Sequence, residues 1–377
     1  MSERFLTMDE PLRILHVFMG MDRSGVPILL INYLRHIDRT KVVFDFAVES
    51  GNEEYFDKEI EGLGGRVYSL GVNSSRPLFY SKLGRIIRKG GYDIVHSHMG
   101  NRNIPILLCA LISGATRRIS HSHNTFKSRH ALFRYLDGLI LLLGNMIPTH
   151  RYACSAVAGI CMFGKRTFNK GKVTVINNAI EINKFLYDPG LGAAVRNELG
   201  LGDRLVIGSV GNFTPLKNHG FMIEVFRELV RRAPSAALVI AGGGRLMESI
   251  REKVSTYGLS DNIMLLGRRS DVDRLYQAFD AFILTSFNEG LSIALIEAQA
   301  SGLRCIVSDN LTQESNPSGT MTVLNLEDGA VCWAENIIRI LETPYERKSQ
   351  TAKLREAGFD IILEARKLEE KYLAMKG

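Results

Sequence analysis

The sequence predicts an α/β protein made of two doubly wound domains, each built on a parallel sheet. Three observations carry that prediction. The chain has 377 residues, more than a single ordinary core organises. Short β-branched runs alternate with amphipathic stretches, the pattern of strands joined by crossover helices. That alternation pauses near residue 180 and restarts near residue 204, which divides the chain in two. The expected domains are therefore 1–185 and 186–360, followed by a terminal helix over 361–377.

The elements follow in order. "LRILHVF" (12–18) reads as a buried strand, leading through a glycine-bearing loop into the helical "PILLINYLRHID". "VVFDFAV" (42–48), "DIVHSHM" (93–99) and "RRISHSHN" (117–124) continue the first sheet. The stretch from about Ile180 to Leu201 reads as a linker. The second sheet is expected from "RLVIGSVGNF" (204–213), "AALVIAGGG" (236–244), "NIMLLG" (262–267), "AFILTS" (281–286) and "RCIVSD" (304–309). The closing "FDIILEARKLEEKYLAMKG" has apolar positions at helical spacing and reads as a packed helix.

Composition bounds the function. Hydrophobic residues make up 45% and charged residues 23%, as in globular proteins. "GLILLLGNMIP" is the longest uncharged apolar run and is about half a membrane span. The polar "MSERFLTMDEP" lacks a signal-peptide pattern. The five cysteines show neither CxxC nor metal spacing, so reduced thiols in a cytoplasmic protein are expected. The net charge of +7 is uneven: residues 1–185 hold 25 basic against 15 acidic side chains, and the remainder 22 against 25. A basic N-terminal half suits an anionic partner, and a generic solvated surface is the plain alternative. Its basic residues are not interleaved with aromatics, which argues against nucleic acid. "SKLGRIIRKGG" (81–91), together with Lys127, Arg129 and Arg134 beside an apolar stretch, fits an anionic inner-membrane surface instead.

In parallel sheets ligands bind at the carboxyl ends of the strands, so the loops there carry the candidate chemistry. In "GMDRSGVP" (20–27), Gly20 and Gly25 lead into a helix whose backbone N–H groups can meet a phosphate, and Pro27 suits its first turn; a simple strand–helix turn is the equal alternative. In "VGNFTPLKNHG" (210–220), Gly211 permits a tight exit and Lys217 can neutralise a diphosphate; ordinary surface charge is the alternative. "AGGGR" (241–245) lacks the order of a dinucleotide fingerprint. Histidines recur in "HSH" (96–98) and "HSHN" (121–124), with packing or a site as the two readings and zinc a minor branch. "SDVD" (270–273) resembles a metal clamp, but Ser270 or Asp271 reads better as a helix cap.

"SFNEGLSIALIEAQASGL" (286–303) places Glu289 in an exit loop and Glu297 inside the following helix, with Ser292 as its expected cap. Two acids from one loop and its own helix are poorly placed to flank a glycosidic bond. They suit the gripping of vicinal hydroxyls, while the N–H groups of Gly290, Leu291 and Ser292 suit an anion. Diols beside a phosphate describe a nucleotide sugar.

With these residues in view, "SFNEGLSIALIEAQASGLRCIVSD" resembles the Glu-x7-Glu signature of family 4 retaining glycosyltransferases of the GT-B fold, bacterial capsular and exopolysaccharide enzymes especially. "LRILHVFMGMDRSGVPILLINYLRHID", "YDIVHSHM", "RISHSHN", "KVTVINNAIEINKF" and "VGNFTPLKNH" resemble further blocks of that family, in its order and over nearly the whole chain. The resemblance implies that Glu297 holds the nucleotide ribose and that Glu289 holds donor-sugar hydroxyls, with the following amides near sugar and phosphate. It implies that Lys217 neutralises the diphosphate and that His123 faces the donor sugar near the reacting carbon. Catalytic roles fall to His123, Glu289 and Lys217, and donor contacts to Gly25, Gly211, Asn212, Gly290, Leu291, Ser292 and Glu297 as well. No metal and no cofactor are implied.

Three departures stand out. The first loop reads Ser24-Gly25-Val26-Pro27, without the family's glycine pair and acid. Asn212 occupies a position usually held by arginine, and Arg304 one usually held by proline. The expected reaction is transfer of a hexose-type residue, with retention, from a UDP-sugar in preference to a GDP-sugar. The expected acceptor is a polyprenyl-diphosphate-linked saccharide, met by a cytoplasmic protein peripheral on the inner face of the membrane. A non-catalytic nucleotide-sugar-binding subunit and a nucleotide-sugar epimerase are the alternatives.

Overall fold

A computed structural model describes residues 10–20, 25–49, 56–71, 76–123, 142–289 and 291–376. The chain forms two compact units, Met1–Ala179 together with Ile361–Gly377, and Ile180–Asp360. The first contains a seven-stranded sheet of β1 (Leu12–Phe18), β2 (Val42–Val48), β3 (Val67–Ser69), β4 (Ile94–Ser97), β5 (Arg117–Ser122), β6 (His150–Ala153) and β7 (Thr174–Val175). Its order is β3-β2-β1-β4-β5-β6-β7, and every pair is parallel. The second contains β8 (Val206–Val210), β9 (Ala237–Ala241), β10 (Ile263–Gly267), β11 (Ala281–Leu284), β12 (Arg304–Ser308) and β13 (Met321–Leu324). Its order is β10-β9-β8-β11-β12-β13, also parallel throughout. In each sheet the order reverses beside the first strand, between β1 and β4 and between β8 and β11. Such reversals open a crevice at the carboxyl edge.

The central strands are near-continuous apolar runs because helices cover both faces of a parallel sheet. β9, "ALVIA", is buried at every position. In the second unit the helix His219–Val230 packs against Gly329–Glu342, with Phe221 edge-on to the fully buried Trp333 at 5.5 Å. The strands β3, β6, β7 and β13 have no counterpart in the sequence reading. They are two to four residues long and partly exposed, so no apolar run marks them.

One expectation is corrected. The stretch read as a linker contains a helix, Pro189–Glu198. Asp188 caps it by accepting from the N–H groups of Gly190 and Leu191 at 2.8 and 3.1 Å, and Pro189 fills the first turn. "DPGLG" looks like a loop because cap, proline and glycines fall together. Gly192 lets this helix pack closely: a Cβ there would lie 2.6 Å from the carbonyl oxygen of Gln277. The terminal helix, Ile361–Leu373, belongs to the first unit. Its Tyr372 is fully buried, edge-on to Phe44 at 5.9 Å, and Glu369 accepts from Asp38 N–H and Lys41 Nζ, each at 3.0 Å.

Glycines set the carboxyl edge of the second sheet. Gly211 N–H donates to Ala241 O at 2.9 Å, Phe213 N–H to Gly243 O at 2.8 Å, and Gly242 N–H to Gly267 O at 2.8 Å. The strand exits thus lie backbone against backbone. A Cβ on Gly242 would overlap the carbonyl oxygen of Gly211. Because backbone cannot swing away as a side chain can, Gly242→Ala should destabilise the second unit by about 1–3 kcal/mol. Urea denaturation followed by tryptophan fluorescence reads this directly, since Trp333 is the single tryptophan and lies in that unit.

Candidate functional site

The crevice beside β8 and β11 gathers the acidic and basic candidates of the second unit. Backbone pairing of these strands covers Ala281 with Ile207 and Phe282 with Gly208. Beyond it the chains are joined by side chains. Ser209 Oγ donates to Ile283 O at 2.9 Å, and Thr285 Oγ1 lies 3.0 Å from Asn218 O and 3.3 Å from Lys217 O. Phe287 N–H then donates to Leu216 O at 2.8 Å. The loop carrying Lys217 is thereby fixed against the loop carrying Glu289.

Lys217 ends a short 3₁₀ turn, Pro215–Lys217, and Asn218 adopts a left-handed conformation (φ 52°, ψ 42°) before the helix His219–Val230. Asparagine tolerates that geometry better than most residues. His219 stacks on Phe213 at 4.3 Å and anchors the turn. Burial, with Lys217 nearby, pushes its imidazole down to about 4, so it is neutral. The Lys217 side chain folds back over Gly211, whose added Cβ would lie 3.6 Å from Lys217 Cε. There Lys217 Nζ forms an ion pair with Glu289 Oε1, which also accepts from Ser286 Oγ at 2.9 Å. The two side chains are 21% and 13% exposed. This separates the pair from the fully solvated ion pairs that contribute about 0–1 kcal/mol.

Glu297 sits one turn into the helix Ile293–Ala300 and has a different environment. The buried Tyr276 hydroxyl lies 2.9 Å from Glu297 Oε2 and 3.0 Å from Ala294 O. Burial raises the carboxyl to about 7; the Tyr276 hydrogen bond opposes that rise and Asp273 reinforces it. One tyrosine proton cannot satisfy two acceptors fully. Glu289 and Glu297 therefore answer to different partners, a lysine and a tyrosine.

In the first unit, five histidines line one face of β1, β4 and β5 and the ends of the last two. His16, His96, His98 and His121 are buried and His123 is half-buried. His16 Nδ1 lies 3.0 Å from His98 Nε2, and His98 Nδ1 lies 2.9 Å from His123 Nε2. In a second run Tyr372 Oη lies 2.8 Å from His96 Nδ1, and His96 Nε2 lies 3.1 Å from His121 Nδ1. Burial holds all five below the ordinary histidine range, His16 at about 3 and His123 at about 4. Ring nitrogens of His98, His121 and His123 fall within 4.8 Å of one another, as do those of His16, His96 and His98. Yet the rings stack, His121 on His123 at 4.1 Å and His96 on His98 at 4.2 Å. Stacked lone pairs run side by side instead of converging, and most of these nitrogens bond one another. The arrangement is a hydrogen-bonded ladder of neutral rings.

The family model for glycosyl transferases group 1 matches residues 193–353, which include Lys217, Glu289 and Glu297. A putative glycosyltransferase of Bacillus subtilis, EpsF, is 35% identical over 338 residues, covering 87% of each chain. The chain belongs to the group 1 glycosyltransferases. A second relative of this glycosyltransferase is the Escherichia coli UDP-Gal:alpha-D-GlcNAc-diphosphoundecaprenol alpha-1,3-galactosyltransferase, 26% identical across 77% of this chain and 78% of its own. Among solved structures, Anabaena HepE in complex with UDP-glucose superposes with a TM-score of 0.78 at 16% identity, over 96% of this chain and all of that one. That likeness carries the GT-B fold.

Several expected features of the glycosyltransferase are placed differently in the structure. Ser292 stands at the expected N-cap position, just before its helix, and is buried, but its side chain makes no capping bond. Asp271 also precedes its helix without capping it, because Arg269 claims its carboxylate at 2.7 and 2.6 Å. Arg304 begins β12, at the opposite edge from the crevice, and donates to the carbonyls of Ile340 and Thr343. Its departure from the family pattern is a cap on the C-terminal end of the helix Gly329–Glu342. Gly25 opens the helix Gly25–His36 as expected, and Leu291 is buried. Gly290, Ser24, Lys127, Arg129 and Arg134 lie outside the described residues. Sequence reasoning missed Tyr276, Tyr372 and His16, since a single tyrosine or histidine inside an apolar run carries no local signal.

Glu297 supplies a pH test. Its carboxyl rises from 4.5 to about 7 on folding, so the folded chain holds the proton more tightly than the unfolded one. That contribution to stability is complete below pH 4.5 and is lost as pH rises through 7. Glu297→Gln is neutral throughout, so its melting temperature should match wild type at low pH and exceed it progressively between pH 4.5 and 7. An offset that stays constant across the series would mean that Glu297 is ionised in the folded chain.

Proposed function

We propose that this glycosyltransferase moves a sugar from a UDP-sugar to a lipid-linked saccharide during assembly of a surface polysaccharide, with retention at the anomeric carbon. The observation that carries the reading is the Lys217–Glu289 pair, held across the two loops that diverge at the sheet reversal. An arriving diphosphate exchanges this partner for its own charge. Lys217 then faces the leaving group, and Glu289 is released to accept hydroxyls of the donor sugar. Glu297, poised near neutrality, accepts from the ribose diol as a carboxylate. His123 meets the donor sugar near its reacting carbon as a neutral ring. The bond from C1 to the diphosphate breaks, and C1 bonds to the acceptor hydroxyl on the same face. The acceptor's proton passes to a diphosphate oxygen, giving UDP and the extended acceptor. Lys217 and oriented amides, with no metal, carry the leaving charge.

The names of two relatives support the finer points. The E. coli enzyme uses UDP-Gal and a diphosphoundecaprenol acceptor, and HepE was crystallised with UDP-glucose. A Mycolicibacterium smegmatis relative is GDP-mannose-dependent, so both nucleotides belong in the test. Purified protein incubated with UDP- and GDP-sugars and a lipid-linked acceptor pool should release nucleotide from one UDP-sugar. Glu297→Ala and Lys217→Ala should each lower kcat/KM by about 100-fold, the scale of losing one charge-stabilising group. Donor binding without release would instead make the chain a nucleotide-sugar-binding subunit.

Membrane association is part of the same proposal. The helix Arg76–Gly90 exposes Arg76, Leu78, Arg85, Arg88 and Lys89, and no helix among the described residues is long and apolar enough to cross a membrane. A basic surface of this kind is attracted to anionic lipid and screened by salt. Sedimentation with vesicles should show greater partitioning to phosphatidylglycerol than to phosphatidylcholine, declining with added salt. Equal partitioning to both would remove the electrostatic argument.

A further inference from the structure

The histidine ladder has a direction, and that direction bears on the proposed donor site. A neutral imidazole has one N–H and one lone pair. In the run His16–His98–His123 the rings meet nitrogen to nitrogen, at 3.0 and 2.9 Å, so each contact needs one donor and one acceptor. Only two self-consistent arrangements exist. If the protons point outward, His16 Nδ1–H donates to His98 Nε2 and His98 Nδ1–H donates to His123 Nε2. His123 then carries its proton on Nδ1. If they point inward, His123 donates from Nε2 and presents a bare Nδ1.

The buried end of the run decides between them. His16 Nε2 is buried and has no hydrogen-bond partner. Outward polarity leaves a lone pair there, and inward polarity leaves an N–H. An orphaned buried N–H is the rarer and more costly case. His123 is half-buried, and its Nδ1 has no partner among the described residues. It is the nitrogen the ladder leaves for something else.

We propose that His98 and His16 are positioning residues that hold His123 as its Nδ1–H tautomer, so that the enzyme offers the donor sugar an N–H donor instead of a lone pair. The inference rests on the reading that His123 faces the donor. Neither His98 nor His16 need touch the substrate. His98 orients the ring and sets its tautomer, and His16 supplies the proton that fixes His98. The parallel run Tyr372–His96–His121 ends on another buried, unpartnered nitrogen, His121 Nε2, so it presents no group outward and carries no such role.

The test separates tautomer from turnover. Nitrogen-15 NMR of histidine-labelled full-length protein distinguishes a protonated from an unprotonated ring nitrogen, and His123→Gln identifies the His123 signals by their loss. Wild type should show His123 protonated at Nδ1. His98→Asn places an amide N–H near the position of the imidazole Nδ1–H and should keep that signature. His98→Leu should lose it and lower kcat by roughly 10- to 100-fold with donor KM little changed, the usual weight of a partner that fixes an imidazole's tautomer. His123 protonated at Nε2 in wild type would overturn the proposal even if His98→Leu fails to fold. So would a His98→Leu variant with unchanged tautomer and kcat. The NMR readout needs no donor or acceptor, so a failure of the transferase reading would appear as absent turnover with the tautomer intact.

Discussion

The parting of β8 and β11 is the constraint on which the candidate site of the second unit depends. Two parallel strands that stay paired have no room between their exits, and two that separate freely cannot place a lysine on one against a glutamate on the other. Here the separation is bridged by hydroxyls: Ser209 reaches Ile283 O, and Thr285 reaches Asn218 O. Thr285 is fully buried, so these bonds form where water does not compete for the carbonyls. The glycine exits of β8 and β9 make the rest possible by letting two loop backbones touch. The crevice is a gap held open by specific short contacts.

Within it the charges are prepared before any ligand arrives. Lys217 is paired with Glu289, and both side chains are largely shielded from water. Glu297 follows a different strategy. Burial raises its carboxyl to about 7. One acid is held by a cation and the other by a phenol, which gives two carboxylates eight residues apart unlike chemistry.

The first unit solves a harder problem, the burial of four imidazoles and part of a fifth on one face of a sheet. Each polar ring nitrogen removed from water needs a partner. The rings supply most of one another's partners, aided by Tyr372 from the terminal helix, and leave only His16 Nε2 and His121 Nε2 among them buried without one. This explains why that helix belongs to the first unit although some 180 residues of the other unit separate them in sequence. It covers the ladder, and its tyrosine ends one run of the ladder with a hydroxyl.

The sequence by itself determined the fold class, most strands, and the placement of Lys217 and Glu289 in strand-exit loops with Glu297 on the helix that follows. All of these follow from local patterns: apolar runs, the residues that punctuate them, and polar groups just beyond. It also carried the family through the blocks quoted from the chain. The tertiary structure alone decided that residues 189–198 are a helix, that Asp271 and Ser292 do not cap, and that Arg304 does. It alone decided that His16 joins the histidines of β4 and β5, and that Tyr276 and Tyr372 hydrogen-bond groups 21 and 276 residues away. A cap, a buried ring or a raised pKa depends on which side chain lies within about 3 Å. For parallel strands and distant helices, that distance is set by packing across the sheet and is absent from neighbours along the chain.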